Sequence, residues 1–283
     1  MTDWSEENPI THRLVPDPAP DAEGPVRVEA SPSGVVVVTL DRAHARNRMT
    51  SALQGALREA FETLHGADHV RLVLIRGAGG HFCAGHDPGW MRLTFDWTEG
   101  DLREDALDQG RMLKALHDVP ALTVALVEGE TYGPGVGLVA ACDLALATET
   151  ARFGFPELKL GLLPSVSAPY LADAVGPRHA QSLLGTGRTI DAGEAQRIGL
   201  VQEVAFDEPA LAALAERLTG DALACAPEAA GEVKRLAWRV WGRPIDHGLL
   251  EETARRFAAR RASPEGSEGV QAYLEGRTPN WAP

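Results

Sequence analysis

Long apolar runs are missing from this 283-residue chain. No window approaches the roughly 18 residues that a helix needs to cross a bilayer. Residues 1–25 are polar and Pro-rich and hold no apolar signal core, so they do not read as a secretory leader. A cytoplasmic protein without a membrane partner is expected. Cysteine is scarce: Cys83, Cys142 and Cys225 are odd in number and widely spaced. That argues against a disulfide framework or a zinc site and for buried free thiols. Positive charge is also short, with 27 Lys and Arg against 40 Asp and Glu and a net charge of −13. Such a balance speaks against nucleic-acid binding. A phosphate-bearing ligand is compatible with it, held by a local patch of Arg and backbone N–H groups.

What is present is ordinary globular sequence, 44% hydrophobic and 24% charged, long enough to bury a sizeable core. Residues 1–25 are too polar to offset their ordering entropy and are expected to form a mobile arm. The β-branched run Val35–Leu40 reads as a strand. Thr50 is placed to cap a helix reaching about residue 65, with Leu53, Leu57, Phe61 and Leu64 at helical spacing. Strands are expected at 70–75, 122–127, 144–147 and 200–204. Helices are expected at 105–117, 138–142, 178–185, 192–198, 209–224, 227–241, 245–261 and 265–275. Strands alternate with helices early and helices dominate late, which describes an α/β fold with a helical C-terminal part.

Two glycine-rich loops follow two of these strands, at 77–85 and 129–137. Glycine lets a backbone approach a ligand closely, and loop N–H groups at a helix start are anion donors. Two such loops facing each other would form an oxyanion hole. Glycine-rich turns after strands are also common as plain structure, and the loops alone do not decide between the two.

The motifs in order do. Residues 34–48 (GVVVVTLDRAHARNR), 72–91 (LVLIRGAGGHFCAGHDPGWM), 121–147 with its Ala-Cys-Asp, 153–164 (FGFPELKLGLLP) and 185–204 (GTGRTIDAGEAQRIGLVQEV) resemble the crotonases. These are the enoyl-CoA hydratase/isomerase superfamily, and the branch most similar is that of bacterial methylglutaconyl-CoA hydratases. The resemblance implies a spiral of ββα units forming two roughly perpendicular sheets. The spiral core would span 26–208, and 209–283 would form a helical covering and oligomerisation region. It implies a homotrimer or a dimer of trimers, an acyl-CoA thioester substrate, no metal, and no cofactor beyond the CoA of the substrate.

The same resemblance implies that two backbone N–H groups bind the thioester oxygen and stabilise an enolate. One donor falls on His86. The other falls on Pro134, which has no N–H; the neighbouring Gly135, a water, the His86 side chain or a one-residue shift of the match remain as substitutes. Glu157 matches the acid/base glutamate. Two-glutamate hydratases carry a second one where this chain has Gly137. Arg46, Ala84, Trp90, Pro134, Gly137 and Pro164 fall on substrate- and CoA-binding positions. Arg42, Arg46 and Arg48 read either as a phosphate clamp or as a solvated basic loop. The expected activity is that of an enoyl-CoA hydratase-like lyase. A double-bond isomerase, a C–C hydrolase or lyase on a specialised substrate, and a catalytically reduced acyl-CoA binder stay open beside it.

Overall fold

The computed structural model describes residues 24–67 and 69–282; the expected arm lies almost wholly outside them. Among the described residues, ten strands form two sheets: β1 Val26–Ala30, β2 Val35–Leu40, β3 Leu72–Gly77, β4 Cys83–Ala84, β5 Leu122–Val127, β6 Glu130–Tyr132, β7 Leu144–Thr148, β8 Arg152–Gly154, β9 Thr189–Asp191 and β10 Glu203–Ala205. The helices are α1 Ser51–His65, α2 Pro88–Leu93, α3 Glu99–His117, α4 Pro134–Ala141, α5 Ala168–Thr186, α6 Ala192–Arg197, α7 Glu208–Ala224, α8 Pro227–Val240, α9 His247–Arg261 and α10 Pro264–Glu275.

The larger sheet has the order β1-β2-β3-β5-β7-β10 and the smaller one β4-β6-β8-β9. Among the described strands, only β1–β2 and β8–β9 pair antiparallel. The chain therefore winds as a spiral: β3/β4, β5/β6 and β7/β8 each give one strand to the large sheet and the next to the small one.

The continuous apolar run of β3 follows from burial on both faces. Val73 and Ile75 join Val36, Val38, Ala125 and the buried residues of α1 and α3. Leu72 and Leu74 pack the other way, with Val124, Leu146 and Leu211 and Ala215 of α7.

Several boundaries differ from the sequence reading. Helix α3 starts at Glu99 and not near 105, because Thr98 and Asp101 form a reciprocal capping box that outweighs the polar composition. Helix α4 starts at Pro134 rather than 138. Helix α5 starts at Ala168 rather than 178, and its internal break at Gly176 (φ 75°) hides the periodicity. Cys225 is exposed, contrary to the expectation of three buried thiols.

The C-terminal helices are tied to the body by polar contacts. Lys234 pairs with Asp143 at 2.8 Å, and Arg71 donates to the carbonyls of Leu223 and Trp281 at 2.9 Å. Arg260 of α9 reaches Glu228 and Glu265, each at 2.8 Å.

Asn47 anchors the loop after β2. Asn47 is fully buried at φ 54°, a left-handed conformation that Asn tolerates. Its side chain accepts from Arg42 N (2.9 Å) and donates to the carbonyls of Ala78 (2.9 Å) and His81 (2.7 Å). It thereby joins the β2 exit to the first glycine-rich loop. Replacing Asn47 by Ala strands these buried partners, so Asn47→Ala is expected to lower stability by about 2–4 kcal/mol in urea unfolding.

Candidate active site

Three parallel neighbours of the small sheet set the site. Cys83 pairs with Thr131 and Thr131 with Phe153; Ala84 pairs with Tyr132 and Tyr132 with Gly154. The chain leaves all three strands at their carboxyl ends, side by side, where ligands of parallel sheets commonly bind. His86 follows β4, Gly133 and Pro134 follow β6, and Glu157 follows β8.

In the first loop, Met49 N donates to Gly85 O at 2.8 Å and Asp87 N donates to Met49 O at 3.0 Å. This parallel bridge uses the groups on either side of His86 and turns the His86 N–H away from Met49. That N–H has no backbone acceptor among the described residues. Asp87 then caps α2, accepting from Gly89 N (2.8 Å) and Trp90 N (3.2 Å). The buried Arg42 guanidinium lies 3.4 Å from the Asp87 carboxylate and donates to Arg48 O at 2.5 Å. Arg42 is thus part of the loop's frame, which corrects its reading as a phosphate clamp or a solvated residue.

The His86 ring stacks on Trp90, with centroids 5.3 Å apart at 17°. Burial lowers its pKa to about 4, so the imidazole is neutral near pH 7. Its Nδ1 is buried without a partner among the described residues. Trp90 is fixed in turn by a 2.9 Å hydrogen bond from its Nε1 to Ser51 Oγ.

In the second loop, Gly133 (φ 50°) donates to Gly154 O at 2.9 Å and precedes α4. Pro134 occupies the first helical position, where its fixed φ suits the helix and its missing N–H removes only a group that lacks an intrahelical acceptor. Gly137 N closes the first turn onto Gly133 O at 3.1 Å. The N–H groups of Gly135 and Val136 remain without a backbone acceptor among the described residues. The nearest donor after Pro134 is therefore Gly135, whose Cα lies so close to Cys83 that a Cβ there would be 2.5 Å from Cys83 O.

Glu157 lies in the 3₁₀ turn Pro156–Leu160, which ends at Gly161 in the left-handed region (φ 76°). It is 8% exposed, and its Oε2 has no hydrogen-bond partner among the described residues. Burial raises its pKa to about 7, against a smaller lowering effect of its own backbone N–H. The carboxyl rests on Gly133: a Cβ at that position would lie 1.8 Å from Glu157 Oε1 and 2.8 Å from its Cδ. Only glycine admits this approach, and its backbone conformation also favours glycine.

The other expected positions are less concentrated. Ala84 is in β4, and its N–H donates to Arg46 O at 3.0 Å. The Arg46 side chain is 2.8 Å from Glu130. Gly137 faces Ser167, with no room for a side chain: a Cβ would meet Ser167 Oγ at 2.4 Å. Pro164 is half-buried in the segment between the Glu157 turn and α5. Gly133, Asn47 and Ser167 were not singled out from sequence. A glycine before a proline at a strand exit was the available signal for Gly133. Among the described residues, no three His, Cys, Asp or Glu side chains form a metal-holding group. A cavity of about 640 Å³ walled by α4, α5, α7 and α8 includes neither Glu157 nor His86 and stands apart from this chemistry.

Residues 30–283 match the family model described as enoyl-CoA hydratase/isomerase. The chain belongs to the enoyl-CoA hydratase/isomerase family of enzymes. It is 34% identical to the Mycobacterium bovis protein named probable enoyl-CoA hydratase echA8, over 87% of this chain and 94% of that protein. A crystal structure of an enoyl-CoA hydratase/isomerase from Marinobacter aquaeolei superposes with a TM-score of 0.85 at 34% identity, covering 92% of this chain and 99% of that one. Pseudomonas aeruginosa AtuE gives 0.87 at 36% identity, covering 92% and 100%.

The Gly133–Glu157 contact yields a direct test. Gly133→Ala drives a methyl group into the carboxyl and strains the backbone. Thioester turnover is expected to fall by roughly 10²–10⁴, as for loss of a general acid/base group, while circular dichroism keeps its native shape.

Proposed function

We propose that the chain adds water across the α,β double bond of an enoyl-CoA thioester, with Glu157 as the acid/base group. The observation that carries this reading is one buried carboxylate with a pKa of about 7, resting against the N-terminus of α4 beside the glycine-rich loops. A group titrating near the working pH can both accept and return a proton. The His86 and Gly135 N–H groups take the thioester oxygen, Gly135 standing in for the donor that Pro134 lacks. Glu157 accepts a proton from water as the water oxygen bonds to Cβ. The same carboxyl then delivers that proton to Cα of the enolate.

Relatives named as hydratases support hydration over other outcomes. The side-chain-free position 137 favours one alternative, a double-bond isomerase, because a single carboxylate suffices to carry a proton from Cα to Cγ. The proposed chemistry needs no resident metal or redox group, and CoA enters as part of the substrate. We assign its phosphates to the loop carrying Arg46 and Arg48. We also propose a trimer or a dimer of trimers, supported by exposed apolar side chains on and beside the C-terminal helices: Trp241 (76%), Phe257 (74%), Tyr273 (84%) and Leu274 (77%). Light scattering is expected to give three or six chains per particle, and a monomer at micromolar concentration rules this assembly out.

Glu157→Gln tests the main reading. The kcat for enoyl-thioester hydration is expected to fall by roughly 10²–10⁴ with CoA-thioester binding retained; near-normal turnover removes Glu157 from the mechanism. Stability supplies an independent check. The folded pKa of Glu157 lies above its ordinary value of 4.5, at about 7. Its contribution to stability is therefore full below pH 4.5 and is lost as pH rises through about 7. Relative to wild type, Glu157→Gln should gain up to roughly 3 kcal/mol between pH 4.5 and 8. Urea midpoints at the two pH values measure the difference.

A further inference from the structure

The start of α4 places two glycines one turn apart, each with a side-chain oxygen where its Cβ would be. At Gly133 the oxygen is Glu157 Oε1, 1.8 Å from the Cβ position. At Gly137 it is Ser167 Oγ, at 2.4 Å. The bond from Gly137 N to Gly133 O (3.1 Å) closes the first turn of α4 between the two positions. We propose that the Ser167 hydroxyl and the Glu157 carboxylate together hold the water that adds to the substrate. This inference rests on the hydratase reading above.

Ser167 is not occupied by the task its place suggests. It precedes α5, where a serine ordinarily caps the helix by accepting from a backbone N–H. Here its backbone is already helical (φ −82°, ψ −20°) and its side chain makes no cap bond. The residue is 2% exposed, and its hydroxyl has no hydrogen-bond partner among the described residues. Glu157 Oε2 is likewise buried and unpartnered. Two unmet polar groups near one helical turn invite an ordered water.

The chemistry balances. The water donates one proton toward Glu157 and the other toward Ser167 Oγ, which leaves a lone pair for Cβ. As the O–Cβ bond forms, the O–H bond to Glu157 breaks and the Cα=Cβ electrons move into the thioester as an enolate. The proton on Glu157 then goes to Cα. Ser167 keeps its own proton throughout, so it orients the water and is neither acid nor base.

The test uses the full chain with crotonyl-CoA for hydration and butyryl-CoA for deuterium uptake at Cα, which needs Glu157 and the oxyanion donors but no added water. Ser167→Ala is expected to lower kcat for hydration by roughly 10–100-fold, with KM within about 3-fold. Deuterium uptake should stay within about 2-fold of wild type, and Ser167→Thr should recover most of the lost hydration. Unimpaired hydration by Ser167→Ala, in a wild type that hydrates, overturns only this inference. Equal loss of hydration and exchange also overturns it, by showing that Ser167 merely positions Glu157. A wild type that exchanges the α-proton but hydrates nothing overturns the hydratase reading, and this inference with it.

Discussion

The parallel register of β4, β6 and β8 is the constraint on which the site depends. These strands are only two or three residues long, too short to stand alone as a sheet. They hold because each continues a spiral turn whose preceding strand lies in the large sheet, between two apolar layers. A one-residue slip would reverse the faces of the short strands and separate His86, Gly133 and Glu157. The rigid sheet thus supplies the precision that the glycine-rich loops could not supply alone.

Within this frame the electrostatics are sparse. Among the described residues Glu157 has no cationic partner, and burial, not a neighbouring charge, sets its proton affinity. The N-terminus of α4 offers partial positive charge to the same place. Pro134 starts that helix and removes one donor, while Gly135 and Val136 keep theirs. The proline therefore starts the helix without an N–H of its own and leaves the helix end polarised. On the other wall, the neutral His86 ring stacked on Trp90 gives a rigid surface that carries no charge near pH 7.

Much of this was legible in the chain. The long elements could be read because their signals are local: the 3.6-residue spacing of α1, the Thr50 cap, the β-branched run of β2. The small sheet was not. Cys83–Ala84 and Glu130–Tyr132 are too short for a period-2 pattern, and pairing with distant strands defines them. Arg42 shows the same limit. By sequence it belongs with Arg46 and Arg48, yet the partner that buries it, Asp87, is 45 residues away.

The sequence by itself determined the family, the order of the longer elements and the place of Glu157 in its motif, since these reside in ordered motifs and local periodicity. The tertiary structure alone decided what the glycines are for. Gly133 and Gly137 look alike in the chain, yet one receives the Glu157 carboxyl and the other the Ser167 hydroxyl. Those oxygens arrive from 24 and 30 residues away. No local signal records what will fill the space that a glycine leaves open, because close packing is a property of the folded interior and not of the chain.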